Sequence, residues 1–224
     1  MSIGEAVWER KGRGQHTLSR NTFNLLLCGW TGAGIASSAI AANMSLSWPM
    51  TWQTLLVTFV VAILGVLIAM WSHNPLVSLL GYALVAIPFG FMLGPVVALY
   101  TMASVVKVFA ITVAMVMVLG IVGAMIPESL EGWAPFLFGG LVLFLLCSLF
   151  VPLAGFFGLP VEGALTWLDW IGVFLFGGYV IFDFNRAQHV ERTVDNSIDC
   201  ALAVYLDFVN IFIRLLSIMG NHDD

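Results

Sequence analysis

Seven apolar stretches, separated by short polar breaks, run through this chain of 224 residues. They cover roughly residues 21–42, 52–71, 76–99, 103–125, 134–153, 164–186 and 197–218. A bilayer core takes about 20 mostly apolar residues per helix, so each window predicts one membrane-spanning helix. The breaks carry turn chemistry. Residues 43–50 hold Ser, Trp and Pro; Ser72-His73-Asn74-Pro75 is a turn; 127–132 is polar; 186–196 is a long charged loop. The weakest break lies at 100–103, where spans three and four nearly fuse. Such short loops place consecutive helices antiparallel and side by side. The expected fold class is an all-α integral membrane protein with one seven-helix bundle over 21–219, between an N-terminal tail (1–20) and a C-terminal tail (220–224).

Composition strengthens this reading. Hydrophobic residues make up 60% of the chain and charged ones 9%, against about 25% charged in a soluble domain. No Asp, Glu, Lys or Arg occurs between residues 21 and 106. A soluble fold cannot wrap that much uncharged chain and keep a wettable surface. The net charge is −5, and no basic patch suggests nucleic acid. Ala39-Ile40-Ala41 resembles a signal-peptide cleavage site. The long basic region and the continuing apolar run favour a retained first helix.

The positions of the bases predict orientation. Arg10, Lys11, Arg13 and Arg20 precede the first span. With seven spans the 186–196 loop lies on the same side and adds Arg186 and Arg192, leaving Lys107 and Arg214 for the other. This favours a cytoplasmic N-terminus and, for a bacterial protein, the inner membrane. Cys28, Cys147 and Cys200 are far apart in apolar runs, a spacing that suits neither a metal site nor a disulfide framework. His16, His73, His189 and His222 fall in loops or tails. No nucleophile or metal constellation appears, so neither an enzyme nor a bound cofactor is expected.

Two features of the spans invite a role. Gly29, Ala33, Ser37 and Ala41 form a stripe of small residues on span one that lets another helix approach. Span three carries Pro88, Gly90, Gly94 and Pro95. Each proline removes an internal hydrogen-bond donor, which gives either a packed kink or a hinge, with Pro88, Gly94 and Pro95 as the hinge residues, beside a transport pathway.

The acids give the sharper signal. Asp183 stands near the end of span six and Asp207 about ten residues into span seven, roughly 15 Å deep. A membrane-embedded acid is a functional candidate by default. The connecting loop makes these helices neighbours, so the two carboxyls can face each other at similar depth. Two carboxylates away from water cannot both stay ionised cheaply; one keeps a proton and shares it. The pair then works as a latch: clipped when the proton is shared, and repelled when it is lost. The repelled state leaves an anionic pocket suited to hard cations such as Ca²⁺. The alternative is that each acid pairs with a nearby arginine or caps a helix. Asn210 and Asp199 share the Asp207 face, and Arg186 is placed to pair with Asp183. Arg214 is expected to snorkel to the external interface. Asp169 is expected in the external headgroup layer, roughly 21 Å from Asp183.

These residues also carry a resemblance. Tyr179-Val180-Ile181-Phe182-Asp183-Phe184-Asn185-Arg186, then Ala203-Val204-Tyr205-Leu206-Asp207-Phe208-Val209-Asn210-Ile211-Phe212, then Leu215-Leu216-Ser217-Ile218-Met219-Gly220 resemble the Bax inhibitor family of small seven-helix membrane proteins. So do the opening Leu18-Ser19-Arg20-Asn21-Thr22-Phe23 and span three from Gly81-Tyr82 to Tyr100. The resemblance implies a bundle in which span seven is wrapped by the other six. In calcium-leak members of the family an aspartate pair on spans six and seven is a pH-responsive latch; Asp183 and Asp207 match it. Those members also hold the pair with an arginine at the end of span two. Here Ala69-Met70-Trp71-Ser72-His73-Asn74-Pro75 stands in that place, and His73 or Arg186 is left as the substitute. A second bacterial branch is linked to restraining a membrane-bound ATP-dependent protease, and spans one and three resemble that branch. Two functions follow from the resemblance. One is a pH-sensitive calcium leak channel, with Ca²⁺ and the bilayer as partners and a monomer favoured. The other is a non-transporting modulator of a membrane protease.

Overall fold

The computed structural model describes residues 17–49 and 51–221. Arg10, Lys11, Arg13, His16 and His222, singled out above, lie outside the described residues. Among those described, the chain forms seven helices long and apolar enough to cross a membrane. They are α1 (Arg20–Met44), α2 (Trp52–Trp71), α3 (Pro75–Val97), α4 (Met102–Met125), α5 (Ala134–Phe156), α6 (Glu162–His189) and α7 (Val194–Met219), with a 3₁₀ turn at Glu131–Trp133 before α5. In hydrocarbon every backbone N–H and C=O must be satisfied within the chain, which favours helices. The chain is a multi-pass integral membrane protein.

Uncharged side chains start the early spans, as the composition requires. Ser19 accepts from the Thr22 amide on α1, Thr51 and Thr54 form a capping box on α2, Asn74 accepts from the Leu76 amide on α3, and Thr101 accepts from the Ser104 amide on α4. Such caps replace the missing intrahelical acceptors at a helix start. α5 ends at Gly158, whose φ of +84° is the left-handed conformation that glycine tolerates.

The chain divides into two compact units. Among the described residues, the first runs to residue 100 and takes in 187–205, so it holds α1, α2, α3 and the first half of α7. Its helices meet through small residues. A Cβ added at Gly90 would come within 2.5 Å of the Ser38 carbonyl oxygen, and one at Gly94 would strike the Ser45 hydroxyl. Gly34 lies against the Tyr82 ring, and Gly65 against Gly81. The stripe used is therefore Gly34, Ser38, Ala41 and Ser45, which are buried, whereas Gly29 and Ala33 are exposed. This corrects the stripe expected from the sequence. α1 carries small residues on more than one face, and the side that packs is set by Tyr82 and by the glycines of α3. Helix α3 runs unbroken through both prolines. Because Pro95 has no N–H to give, the Phe91 carbonyl is free, and Ser45 Oγ donates to it at 2.9 Å.

A buried polar knot lies at the same contact. The Ser38 hydroxyl is 2.7 Å from both the Ala86 carbonyl and the Tyr205 hydroxyl, and the Tyr205 ring meets Tyr82 edge-on. At the start of α7, Thr193 caps the helix and Ser78 donates to Asp195 at 2.6 Å. The Leu18 amide donates to the Arg192 carbonyl, and Arg20 Nε to Gln188. The start of α1 and the α6–α7 loop thus lie at one end, as the six spans between them demand.

The second unit comprises residues 101–186 and 206–222, so it holds α4, α5, most of α6 and the second half of α7. Gly123 lies against the Ile181 carbonyl, and Gly120 against the Phe184 ring. Phe109 of α4 meets Phe208 and Phe212 of α7 edge-on. The Asn221 carbonyl accepts from the Thr101 amide, and the Asn221 amide donates to Ser104 Oγ, which pins the end of α7 to the start of α4.

Candidate functional site

The site lies in the second unit, where α6 and α7 face each other. Asp183 and Asp207 are both buried, 8% and 5% exposed, and lie close enough to act on each other electrostatically. Two ionised carboxylates repel, and neither can donate to the other. The Oδ2 atom of Asp207 is buried with no hydrogen-bond partner. Glycines of α4 let this part of α6 sit deep: Ile181 and Phe184, on either side of Asp183, rest on Gly123 and Gly120.

Other sequence candidates distribute differently. Arg186, three residues after Asp183, is near enough to act on it electrostatically. Asn210 does not turn to the pair; its amide donates to the Leu206 carbonyl on its own helix at 2.8 Å. Asp199 is half-buried in the part of α7 that belongs to the first unit, and His73 is exposed in the α2–α3 turn of that unit. Among the described residues no three His, Cys, Asp or Glu side chains gather as metal ligands, and the three cysteines are free.

Two expectations are overturned at the other end of the α6–α7 contact. Asp169 is buried, at 7% exposed, rather than solvated among headgroups. Arg214 does not snorkel away: its Nη1 donates to Asp169 Oδ1 at 2.9 Å, and its guanidinium lies 5.0 Å from the Phe144 ring centroid. Ser217 donates to the other carboxylate oxygen at 2.6 Å. With Asp169 buried, a missing counter-charge would be strongly destabilising, and Gly172 clears the space for the arginine stem.

Two residues escaped the sequence reading. Tyr179, one turn before Asp183, lies near enough to both carboxyls to interact with their charge. Asn185, 1% exposed, donates to the carbonyls of Ile126 and Glu128 at 3.0 Å and accepts from the Leu130 amide at 2.9 Å. It fastens the α4–α5 connection to α6, two residues from Asp183. A lone amide inside an apolar helix was the available signal, since a buried amide must find partners.

Comparison with known proteins agrees with this architecture. The profile of the family described as inhibitor of apoptosis-promoting Bax1 matches residues 15–224. The inner membrane protein YbhL of Escherichia coli (strain K12) is 30% identical over 141 residues, 59% of this chain and 58% of that protein. The match therefore spans a little under three-fifths of that relative's length. An uncharacterized protein of Deinococcus radiodurans is 29% identical over 233 residues, 93% of this chain and 95% of its own. Protein LIFEGUARD 1 of Arabidopsis thaliana is 36% identical over 90 residues, 39% of this chain and 35% of that protein. With seven spans in place and the family profile matched from residue 15 onward, the chain belongs to the Bax inhibitor-1 family of membrane proteins.

Proposed function

We propose that this protein is a pH-sensitive cation leak of the cell membrane, with Asp183 and Asp207 as the sensor and Ca²⁺ as the transported ion. The observation that supports the reading is the closeness of two buried carboxyls on neighbouring spans. While one proton is shared, the bond ties α6 to α7. When it is lost, two like charges face each other in a low-dielectric site and the helices are driven apart. The exposed pair then offers hard oxygen ligands of the kind Ca²⁺ prefers, held loosely enough to release it. Arg186, near Asp183, offsets part of the repulsion and sets how readily the latch opens.

The test is Ca²⁺ entry into dye-loaded liposomes that carry the purified protein, followed from about pH 5 to pH 8. The expected result is a leak that grows as the pH rises, because opening follows proton loss. Asp207→Asn replaces the shared proton with a permanent amide donor, so its leak should be small and flat across the range. Equal, pH-independent flux in both proteins would remove the sensor. Absence of flux in both, together with recovery of a membrane protease on the intact protein, would favour a modulator that transports nothing.

A further inference from the structure

In the first unit, α2 and α3 enclose a groove of about 420 Å³ beside Pro88 and Pro95. Its size falls within the roughly 300–1,000 Å³ of small-molecule sites. The walls include Trp48, Thr58, Ile87 and Phe91, and Gln53 and Thr54 stand at one end. The Trp48 and Phe91 rings are stacked, with centroids 5.1 Å apart and an angle of 5° between their planes, which gives one wall a flat, rigid face. From Gln53, one residue into α2, to Val61, the lining descends roughly 12 Å at 1.5 Å per residue. The groove therefore begins where Trp residues settle at the membrane interface and ends well inside the hydrocarbon. Its outer lip continues into the lipid-facing side of α2, where Leu55, Val57, Phe59 and Val60 are exposed.

We propose that this groove holds one membrane phospholipid with an electrically neutral, zwitterionic headgroup, its acyl chain lying along Ile87, Pro88 and Phe91. Three observations select that occupant. The floor is apolar at hydrocarbon depth, where water finds no partners and an alkyl chain does. The groove is continuous with the surface the bilayer already covers. The rim carries amide and hydroxyl groups but no charge, since no Asp, Glu, Lys or Arg occurs from residue 21 to 106; an anionic headgroup would meet no counter-charge there. Gln53 is exposed at the mouth, and its amide both donates and accepts, which suits a headgroup with a phosphate and an ammonium.

Trp48 makes the site observable. In mixed bilayers with brominated acyl chains, the fluorescence lost on Trp48→Phe isolates its contribution from the other tryptophans. The expected result is stronger quenching of that contribution by a brominated zwitterionic phospholipid than by brominated phosphatidylglycerol at equal mole fraction. Native mass spectrometry from detergent should show one such lipid retained. Thr58→Phe fills the floor with an apolar ring and should abolish retention without unfolding a lipid-facing helix. Gln53→Leu should lower retention about fivefold, the loss of one neutral hydrogen bond. Equal quenching by the two lipids would overturn the headgroup assignment and with it the proposal. Retention unchanged in Thr58→Phe, meaning loosely surrounding lipid only, would also overturn it, as would no quenching of Trp48, meaning a groove closed by the protein itself.

Discussion

Asp169 and Asp183 lie on the same helix, roughly 21 Å apart along its axis, and each reaches a side chain on α7. Asp169 meets a base, Arg214, and a hydroxyl, Ser217. Asp183 meets another acid, Asp207. In the first contact the acid faces its counter-charge and both carboxylate oxygens are bonded. The second sets two acids together away from water, which is the arrangement the proposed latch uses. The two ends of one helix pair thus differ in kind, with an acid facing a base at one and an acid facing an acid at the other. Under the proposed latch, the helix pair would open like a hinge about its ion-paired end.

That contrast can be broken at its strong end. Arg214→Gln leaves Asp169 buried without its counter-charge. Removing one partner of a buried pair costs about 3–5 kcal/mol, and the slight exposure of this pair places the loss near the lower bound. Thermal unfolding in detergent should show it, and Asp169→Asn added to Arg214→Gln should recover part of it. Full recovery of wild-type stability by the double change would mean that the ion pair contributes nothing beyond an isosteric neutral pair.

The neighbouring clamp gives the next effect. Asn185→Ala leaves the Leu130 amide and the carbonyls at the end of α4 without their partner. A loss of about 2 kcal/mol is expected, and the α4–α5 connection should become cleavable by protease in proteoliposomes. If stability falls but the pH profile of the leak keeps its midpoint, the clamp is structural and the sensor is confined to the two acids.

Ser217→Ala sharpens the comparison with less force. One hydrogen bond to a charged group is lost at the exposed end of α7, for about 1 kcal/mol. The smallest change belongs to the acid pair. Asp207→Asn should leave stability within about 1 kcal/mol of wild type, because an amide replaces the proton the pair already needs. Its signature is elsewhere: any difference in wild-type unfolding between about pH 5 and pH 8 should vanish. A variant that loses stability as severely as Arg214→Gln would mean that the two acids are not a neutral, proton-sharing pair.

Much of the architecture was legible before any coordinates. Seven apolar windows became seven helices, with ends displaced by a few residues at most where Ser, Thr or Asn could cap them. The weak break at 100–103 held because Thr101 starts α4. The acids that matter were visible too, since charge is so scarce in this chain that each buried one stands out. That Asp183 and Asp207 would come near each other followed from the short loop that makes α6 and α7 neighbours. The same reasoning failed for Asp169, whose partner lies near the far end of α7 and not close in sequence.

What the sequence settled by itself is whatever a local rule decides: span length against bilayer thickness, caps at the helix starts, and the rarity of charge. Tertiary structure alone decided which side of α1 packs, that Asn185 fastens the α4–α5 connection, and that Arg214 turns inward over Phe144. The reason is physical. Among apolar helices in lipid no hydrophobic force picks out one face. The choice falls to close fit and to hydrogen bonds between residues far apart in the chain, and neither periodicity nor composition records those.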